Sequence, residues 1–353
     1  MLNWLRETDP TRLDTLWRRA DGARREQVGD AVYLRALVEI SNYCRRSCHY
    51  CGLRAPNATV GRYRMSFGEI MQSVRQAAAL GLGTVVLQSG EDPGLTVSLI
   101  ADLVRVIRRE TRMAVTLSLG ERDETELAAW RAAGADRYLL RFETSNEVLY
   151  NRIHPAHAAV RVGRMALLRR LRGLGYEVGS GVMVGIPGQT FEDLADDIEL
   201  FRTLDLDMIG VGPFIPHPDT PLADAPDAAG PEQVPATPDM TYKVVAITRL
   251  VCPLVNIPST TALASLDPLR GREAALMRGA NIVMPNFTPP KYRQSYEIYP
   301  GKACVHEEAE TCLRCIEGRI QSVGRTIGAG RGDSPHRLRR RTNPPTLEGV
   351  CHG

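Results

Sequence analysis

The stretch YLRALVEIS, at residues 33–41, begins the pattern that decides the fold of this chain. Its alternation of apolar and polar residues predicts a β-strand. The capping box Ser66-Phe-Gly-Glu69 then predicts the start of a helix that Gly81 can end, and TVVLQS at 84–89 predicts a second strand. A strand, a helix and another strand in this order are typical of a β/α unit with parallel strands.

The same alternation continues outward to about residue 285. Further strands are predicted at 113–119, 136–143, 176–185, 207–214, 253–258 and 280–285. Further helices are predicted at 96–110, 123–133, 161–174, 190–204, 240–251 and 266–278. The result is eight β/α-like units in roughly 250 residues, the usual size of a closed barrel. We therefore predict an α/β fold of the (β/α)8 TIM-barrel type, with an N-terminal helical cap and a C-terminal extension that contains cysteines.

This barrel divides the chain into four predicted parts. Residues 1–30 form a charged amphipathic helical extension, and residues 31–290 form the barrel. Residues 291–325 form an extension that carries a second group of cysteines. Residues 326–353, rich in Gly, Arg and Pro, are predicted to be a flexible tail.

The composition favours a globular enzyme. AVILMFWYC residues make up 43% of the 353 residues, and DEKR residues make up 24%. The net charge is +3, but residues 325–341 hold six arginines against one acid, so the rest of the chain is slightly acidic. That body is not a basic platform for nucleic acid. The chain has neither an apolar run long enough to span a membrane nor the apolar segment of a signal peptide, so we expect a cytoplasmic protein without membrane or nucleic-acid partners.

Six of the eight cysteines form two tight triplets, Cys44/Cys48/Cys51 and Cys304/Cys312/Cys315. Such clustering in a chain of this length indicates metal binding. The first triplet follows the first predicted strand, and its polar, basic neighbours do not suit buried structural cysteines. An iron-sulfur cluster on three thiolates would leave one iron open to a small molecule. Zinc is the competing interpretation, although the adjacent His49 fits the usual zinc spacing badly.

The loop Cys44-Arg-Arg-Ser-Cys48-His-Tyr-Cys51 resembles the signature of the radical S-adenosylmethionine (SAM) enzymes, with Tyr50 just before the last cysteine. The resemblance implies a 4Fe-4S cluster whose open iron chelates SAM, and one-electron cleavage of SAM to a 5'-deoxyadenosyl radical. It also implies that Tyr50 contacts the adenine and that Glu91 receives the methionyl ammonium. The implied SAM-binding residues are Tyr50, Ser89, Gly90, Glu91, Glu143 and Arg164.

The segment Val184-Gly-Ile-Pro-Gly-Gln-Thr190 resembles the part of the radical SAM fold that lies beside the adenine. The alternative is a plain turn between a strand and a helix, with Thr190 as the helix cap.

Longer strings resemble one subfamily, the HydE maturases of FeFe-hydrogenase, over about residues 30–325. These strings lie at 40–44, 86–93, 212–222, 280–286 and 296–302. The resemblance implies processing of an iron-carbonyl-cyanide-cysteine precursor made by a partner maturase, HydG, for the scaffold GTPase HydF, with electrons from a flavodoxin or ferredoxin. The residues that it implies for the substrate cavity are Gln88, Arg141, Thr260, Thr261, Tyr296 and Tyr299.

These substrate residues also have structural explanations. Arg141 could form an internal ion pair with Glu143, Thr260 and Thr261 could cap the following helix, and the tyrosines could close the barrel.

The second triplet, Cys304/Cys312/Cys315, lies beyond the predicted barrel. In some HydE members a matching motif carries an auxiliary 2Fe-2S or 4Fe-4S cluster. Zinc with His306 or a distant fourth ligand remains open, as does a metal-free triplet.

Other functions also remain open. A methylornithine-synthase-like enzyme has a similar barrel. A biotin-synthase-like enzyme would need cysteines on the barrel strands, which supply none here. A non-enzymatic iron-sulfur or zinc carrier would leave the polar residues at the strand ends unexplained.

Overall fold

The computed structural model describes residues 1–157, 162–223 and 230–342, and parallel strands form its centre. The strands are β1 (Ala31–Leu34), β2 (Ala36–Ser41), β3 (Thr84–Ser89), β4 (Ala114–Ser118), β5 (Arg137–Leu139), β6 (Glu177–Val184), β7 (Met208–Pro213), β8 (Ile282–Val283) and β9 (Thr326–Ile327). A six-stranded parallel sheet has the order β2-β3-β4-β5-β6-β7, and a three-stranded sheet has the order β8-β1-β9. The predicted α/β class is confirmed.

Helices connect and cover these strands. They are α1 (Leu2–Leu5), α2 (Pro10–Val28), α3 (Phe67–Ala79), α4 (Val97–Glu110), α5 (Glu124–Ala133), α6 (Glu147–Ile153), α7 (Arg164–Gly173), α8 (Phe191–Thr203), α9 (Pro238–Val251), α10 (Thr261–Leu266), α11 (Gly271–Leu276), α12 (Pro290–Arg293), α13 (Ala309–Ser322) and α14 (Pro335–Thr342). The predicted capping box at Ser66 and Glu69 begins α3. No helix in the described ranges is long and apolar enough to cross a membrane.

The core lies between these helices and the strands. Every residue of β2 and of β6 is buried, which is the pattern of parallel strands covered on both faces. Helix α2 packs on α9, and α1 contacts α8 and α9. Asp9 caps α2 by accepting hydrogen bonds from the backbone N–H groups of Thr11 and Arg12.

The strand order continues past β7 through isolated parallel bridges. Met208 bridges Asn256, Pro258 bridges Ile282, and Asn286 bridges Leu37 of β2. The predicted strand 253–258 is therefore wrong as a regular strand, and the predicted strand 280–285 is shortened to β8. The side chain of Asn281 explains part of the difference, because its Oδ1 accepts the Ile257 N–H at 2.8 Å in place of a backbone carbonyl.

Two other predicted elements are divided. The predicted strand 33–41 splits at Arg35 into β1 and β2, which join different sheets. The predicted helix 266–278 is replaced by α10 and α11. Asp267 precedes Pro268, and a residue before proline is disfavoured in the helical conformation, so α10 ends at Leu266.

The prediction of a flexible tail from residue 326 is wrong for residues 326–342. β9 pairs with β1, and α14 follows it. Between them, the backbone carbonyl of Arg331 accepts hydrogen bonds from Thr84 Oγ1 at 2.8 Å and from Arg137 Nη2 at 3.1 Å. Gly332 O accepts from Asn256 Nδ2 at 3.1 Å. This segment covers the amino ends of the strands, and residues 343–353 lie outside the described residues.

Candidate active site

A cavity of about 350 Å³ lies at the carboxyl ends of the strands. In a β/α barrel, catalytic residues gather at this end. The structure brings all fifteen residues predicted for the first cluster, for SAM and for the substrate to the wall of this one cavity. They are Cys44, Cys48, Tyr50, Cys51, Gln88, Ser89, Gly90, Glu91, Arg141, Glu143, Arg164, Thr260, Thr261, Tyr296 and Tyr299. Their roles stay predictions, but their common location is observed.

The loop that carries the first three cysteines is fixed by three separate segments. Arg45 N donates to Glu91 O at 3.0 Å, His49 N to Ile153 O at 2.8 Å, and Gly52 N to Ile298 O at 3.1 Å. The loop therefore keeps one path along the cavity wall.

The three thiols are free and largely enclosed. Burial raises the pKa of Cys44, of Cys48 to about 12, and of Cys51 above its ordinary value. Thiols in such surroundings stay protonated until a metal replaces the protons. Three thiols on one loop, with a cavity beside them, fit a cluster that has three protein ligands.

Gly90 allows the loop after β3 to lie close to the cysteine loop. A Cβ atom on Gly90 would lie 2.3 Å from Tyr43 O and 2.7 Å from Cys44 Cβ. A Cβ atom on Gly120 would lie 2.0 Å from Glu91 Cγ, and Gly120 has a φ of +77°. Larger residues at either position would push these segments apart, so the glycines keep Glu91 next to the cysteines.

Glu91 is a buried acid with unused bonding capacity. Burial, followed by the nearby Glu121 carboxylate, raises the pKa of Glu91. Its Oε2 atom has no hydrogen-bond partner among the described residues, although Arg45 Nε lies 3.5 Å away. A cationic group in the cavity would stabilise the ionised form.

Glu143 and Arg141 form an internal ion pair, with 3.0 Å between Arg141 Nη2 and Glu143 Oε2. This pair was the structural alternative to a substrate-binding role for Arg141. Glu143 has a φ of 67°, an uncommon value for a residue with a side chain. Its N–H donates to Gly181 O and its carbonyl accepts from Met183 N, both at 3.1 Å. These backbone bonds to β6 hold Glu143 against the cavity despite the unfavourable φ.

Arg164 lies at the centre of a cluster of buried polar residues. Its Nε donates to Glu121 Oε1 at 2.8 Å and its Nη1 to Arg141 O at 2.6 Å. Its Nη2 lies 2.5 Å from His154 Nε2, and Arg46 Nη2 lies 2.6 Å from His154 Nδ1. Burial, followed by the charges of Arg164 and Arg46, lowers the pKa of His154 to about 2. His154 is therefore neutral.

Arg46 and His154 received no role from the sequence. The sequence does contain one signal for Arg46. It is a basic residue between Cys44 and Cys48, so the metal motif fixes the position of its backbone.

The far wall of the cavity holds the predicted substrate residues. Gln88 Nε2 donates to the Tyr296 hydroxyl at 3.2 Å, and Thr260 Oγ1 donates to Val211 O at 3.3 Å. Thr260 is also the N-cap residue of α10, but its side chain makes no capping hydrogen bond.

Glu39 and Lys302 line the same wall and were not predicted as site residues. Lys302 Nζ forms a buried ion pair with Glu39 and donates to Tyr296 O at 3.2 Å. Lys302 lies at the end of the string 296–302, but its partner on β2 could not be found from the sequence.

The segment 184–190 forms a turn between a strand and a helix, which was the alternative to a segment beside the adenine. Gly185 and Gly188 have φ values of +84° and +83°. Thr190 caps α8 by accepting from Asp193 N at 3.1 Å, as predicted. The described cavity wall includes Met183 but none of residues 184–190.

The second triplet is only partly assembled. The ligand atoms of Cys304, Cys312 and Glu307 lie within 4.8 Å of one another, whereas Cys315 is exposed on α13. A hydrogen bond with Cys304 lowers the pKa of Cys312 below its ordinary value. His306 lies 3.2 Å from Gln294 Nε2. Cys304, His306 and Glu307 line a second cavity of about 430 Å³, which shares Tyr296 and Lys302 with the first.

The sequence profile of the Radical SAM superfamily matches residues 38–201. Together with the parallel α/β fold and the cysteine loop, this match defines the chain as a radical SAM enzyme. The chain is also 47% identical over 315 residues to the FeFe hydrogenase maturase subunit HydE of Thermotoga maritima, covering 89% of this chain and 87% of that protein. Within the superfamily, the chain therefore belongs to the HydE family.

Two solved structures have the same fold at lower identity. The crystal structure of methylornithine synthase, PylB, has a TM-score of 0.78 and 24% identity, and the alignment covers 92% of each chain. The structure of HydG, a maturase of the FeFe-hydrogenase, has a TM-score of 0.76 and 18% identity, and covers 96% of this chain and 72% of that one. These similarities concern the fold alone.

Proposed function

We propose that this radical SAM enzyme is a maturase that processes an iron-carbonyl-cyanide-cysteine precursor during assembly of the diiron site of FeFe-hydrogenase. The observation that carries the proposal is the common location of the fifteen predicted residues in one cavity. The isolated bridges after β7 support the further proposal that the strands close into an eight-unit barrel around it.

The family implies a 4Fe-4S cluster and SAM, and the cavity fits both. Cys44, Cys48 and Cys51 would hold the cluster. Tyr50, Ser89, Gly90, Glu91, Glu143 and Arg164 would hold SAM. When bound, this pair supplies a 5'-deoxyadenosyl radical through one-electron cleavage of a carbon-sulfur bond.

The residues of the chain itself would bind SAM, orient it and shield it from water. Gly90 allows its strand-end loop to lie against the cysteine loop, and Glu91 offers an unpaired carboxylate oxygen to the methionyl ammonium. The cavity wall is largely apolar around these groups, with Leu37, Met183 and Phe214 among its residues. Excluding water protects a reactive species and strengthens the polar contacts.

The opposite wall suits an anionic, cysteine-bearing substrate. Arg141 supplies a guanidinium group, and Gln88, Thr260, Thr261, Tyr296 and Tyr299 supply neutral hydrogen-bonding groups. In this proposal HydG supplies the precursor, HydF receives the product, and a flavodoxin or ferredoxin supplies electrons.

The first experiment tests SAM cleavage after anaerobic reconstitution with iron and sulfide, with a reduced flavodoxin as the electron donor. We expect wild-type protein and Cys252→Ala, which changes a buried cysteine away from the cavity, to form 5'-deoxyadenosine. Cys48→Ala should lose this activity. A Cys48→Ala protein that forms 5'-deoxyadenosine at the wild-type rate would refute the cluster assignment.

A second experiment tests the maturation role in a host that has a FeFe-hydrogenase. Deletion of the gene should leave the hydrogenase inactive, and complementation with wild type but not with Cys48→Ala should restore it. Unaffected hydrogenase, or formation of 3-methylornithine by the purified protein, would favour another substrate for the same fold.

We also propose that the second triplet binds an auxiliary iron-sulfur cluster, supported by the proximity of Cys304 and Cys312. Cys312→Ala should lower the iron content without abolishing SAM cleavage. Glu307→Gln and Cys315→Ala, compared side by side, will show which of these residues completes the site. Unchanged iron in Cys312→Ala would exclude a cluster there.

A further inference from the structure

The segment 41–65, which contains the cysteine loop, carries a concentrated positive charge. It holds five arginines and neither aspartate nor glutamate, whereas the whole chain has 44 basic residues against 41 acidic ones. The five are Arg45, Arg46, Arg54, Arg62 and Arg64. The excess of positive charge therefore belongs to this segment and not to the chain as a whole.

Nearby acids do not neutralise all of this charge. Arg64 and Arg45 lie beside buried carboxylates. Arg62 instead donates to four backbone carbonyl groups at 2.7 to 3.2 Å, and Arg54 donates to Ser47 O at 3.4 Å. Neither Arg54 nor Arg62 forms an ion pair among the described residues, so both keep their full charge.

A third arginine without an acidic partner comes from α6. His49 N donates to Ile153 O at 2.8 Å, which holds the end of α6 against the cysteine loop. Burial, followed by the charge of Arg54, lowers the pKa of His49, so Arg54 also lies near this histidine. Arg152 is exposed and donates to Pro187 O, and it forms no ion pair within the described part of the chain.

The exposed residues 55–56 bring this surface close to the cysteines. Ala55 N donates to Arg46 O at 2.7 Å and Arg54 N to Cys51 O at 3.1 Å, so the segment after the motif packs against the cysteine loop. The Cα atom of Ala55 is at most about 15 Å from that of Cys51, because four residues reach no further. We call this surface the loop face, and its residues are Arg54, Ala55, Pro56, Arg62 and Arg152.

We propose that the loop face docks a small acidic electron-transfer protein, a flavodoxin with negative charge around its flavin. The inference rests on the proposed radical SAM function, in which each cleavage of SAM consumes one electron. The reduced flavin gives up this electron and the cluster accepts it. Opposite charges on the two surfaces accelerate the encounter and orient it, and the small residues Ala55 and Pro56 allow close approach.

The test is the dissociation constant of flavodoxin for the reconstituted holoprotein, measured by anaerobic isothermal titration calorimetry at low ionic strength. Arg54→Gln/Arg152→Gln removes two charges and should weaken binding by about 3- to 20-fold. Arg54→Lys/Arg152→Lys keeps both charges and should bind like wild type. The matched control is Arg18→Gln/Arg105→Gln, which should not change binding, because these arginines are 74% and 60% exposed on α2 and α4.

The rate of 5'-deoxyadenosine formation gives a second measurement. With limiting reduced flavodoxin, Arg54→Gln/Arg152→Gln should be slower than wild type by a similar factor. With dithionite, a small reductant that needs no docking surface, the two proteins should have equal rates. Raising the salt concentration from about 20 to about 200 mM should weaken flavodoxin binding by wild type, because salt screens exposed charges.

The outcomes separate this inference from the proposed function. A wild-type holoprotein that cleaves no SAM with either reductant would contradict the proposed function. Equal flavodoxin affinity of wild type and Arg54→Gln/Arg152→Gln, the same loss in the control variant, or an equal loss of rate with dithionite would overturn the role of the loop face.

Two further outcomes would also overturn the docking role. One is loss of single-stranded RNA binding in Arg54→Gln/Arg152→Gln with unchanged flavodoxin binding, because the loop face would then serve nucleic acid. If this variant fails to retain iron, the salt series on wild type decides instead, and an affinity for flavodoxin that does not fall with salt would contradict a charged docking surface.

Discussion

At the scale of single residues, the site depends on places where a side chain would not fit. Gly90 lies so close to Tyr43 O that no Cβ atom can be accommodated without movement, and the moving segments would be those that carry Cys44 and Glu91. The pairing of Glu39 with Lys302, and of His154 with two arginines, likewise depends on individual contacts between distant parts of the chain.

We expect Gly90→Ala to destabilise the protein by about 1 to 3 kcal/mol, because a methyl group must displace backbone atoms. It should also reduce iron retention, since Cys44 would have to move. The free energy of unfolding from denaturant titration and the iron content after reconstitution measure these effects.

Gly68→Ala is the control, because its Cβ would meet nothing within 4 Å and it lies in α3. This variant should be stabilised by about 0.5 to 1 kcal/mol. Equal stability of Gly90→Ala and wild type would contradict the argument from close packing.

At the scale of elements, one buried acid joins α8 to the segment that follows β5. Asp197 on α8 accepts a hydrogen bond from the backbone N–H of Ser145 at 2.5 Å, two residues after Glu143. Burial raises the pKa of Asp197 to about 7. Helix α8 therefore supports the segment that presents Glu143, through a carboxyl group whose ionisation is disfavoured by its burial.

We expect the free energy of unfolding to fall as the pH rises from about 4 to about 7. In that window the unfolded chain ionises Asp197 at its ordinary pKa of 3.8, while the folded chain keeps it protonated. Below this window both states are protonated and the effect vanishes. Denaturant titrations at several pH values measure the slope.

The variant for this test is Asp197→Asn, which retains an acceptor for Ser145 N but cannot ionise. Its pH dependence between 4 and 7 should be flatter than that of wild type, and its advantage should be greatest at pH 8. Parallel curves for the two proteins would show that Asp197 is not the group responsible.

At the scale of the whole molecule, the C-terminal segment covers the amino ends of the strands, opposite the cavity. Buried Arg137 pairs with Asp333 and Glu177, and buried Arg35 donates to Gly332 O at 3.1 Å. A Cβ atom on Gly83 would lie 1.9 Å from Gly330 O, so the segment touches the β3 end directly.

We expect truncation after Gly324 to lower the unfolding temperature strongly, because it removes β9 and leaves Arg35 and Arg137 without partners that they have in the full chain. Truncation after Thr342 is the control, since it retains every contact described above. Thermal unfolding followed by circular dichroism distinguishes the two. Similar unfolding temperatures for both would mean that the covering segment adds no stability.

The sequence predicted much of the fold because local signals marked it. Apolar strands such as 84–89, the capping box at Ser66 and the C-x3-C-x2-C spacing are each readable within a few residues. The predicted strands from residue 253 onward were less accurate, because side chains such as that of Asn281 replace backbone carbonyls as hydrogen-bond acceptors there. The segment 326–342 was mistaken for a flexible tail because its Gly and Arg content is typical of one, while its partners in the rest of the chain lie 76 or more residues away.

The site was predictable to the extent that a motif marked it. Residues of the cysteine motif and residues at strand ends were predicted to share one site, and the structure places them in the wall of one cavity. Arg46 was not singled out because a surface arginine and a buried one look the same in sequence, and Glu39 was missed because its partner Lys302 lies in another part of the chain.

The pairing of β1 with both β8 and β9 has a consequence for biosynthesis. The first strand to leave the ribosome must wait for the last one, and at roughly 5 to 20 residues per second this delay is about 15 to 60 s. During that time the amino ends of the strands lack the segment that covers them in the full chain. Synthesis of residues 326–342, rather than arrival of iron, therefore sets the earliest moment at which the finished enclosure can exist.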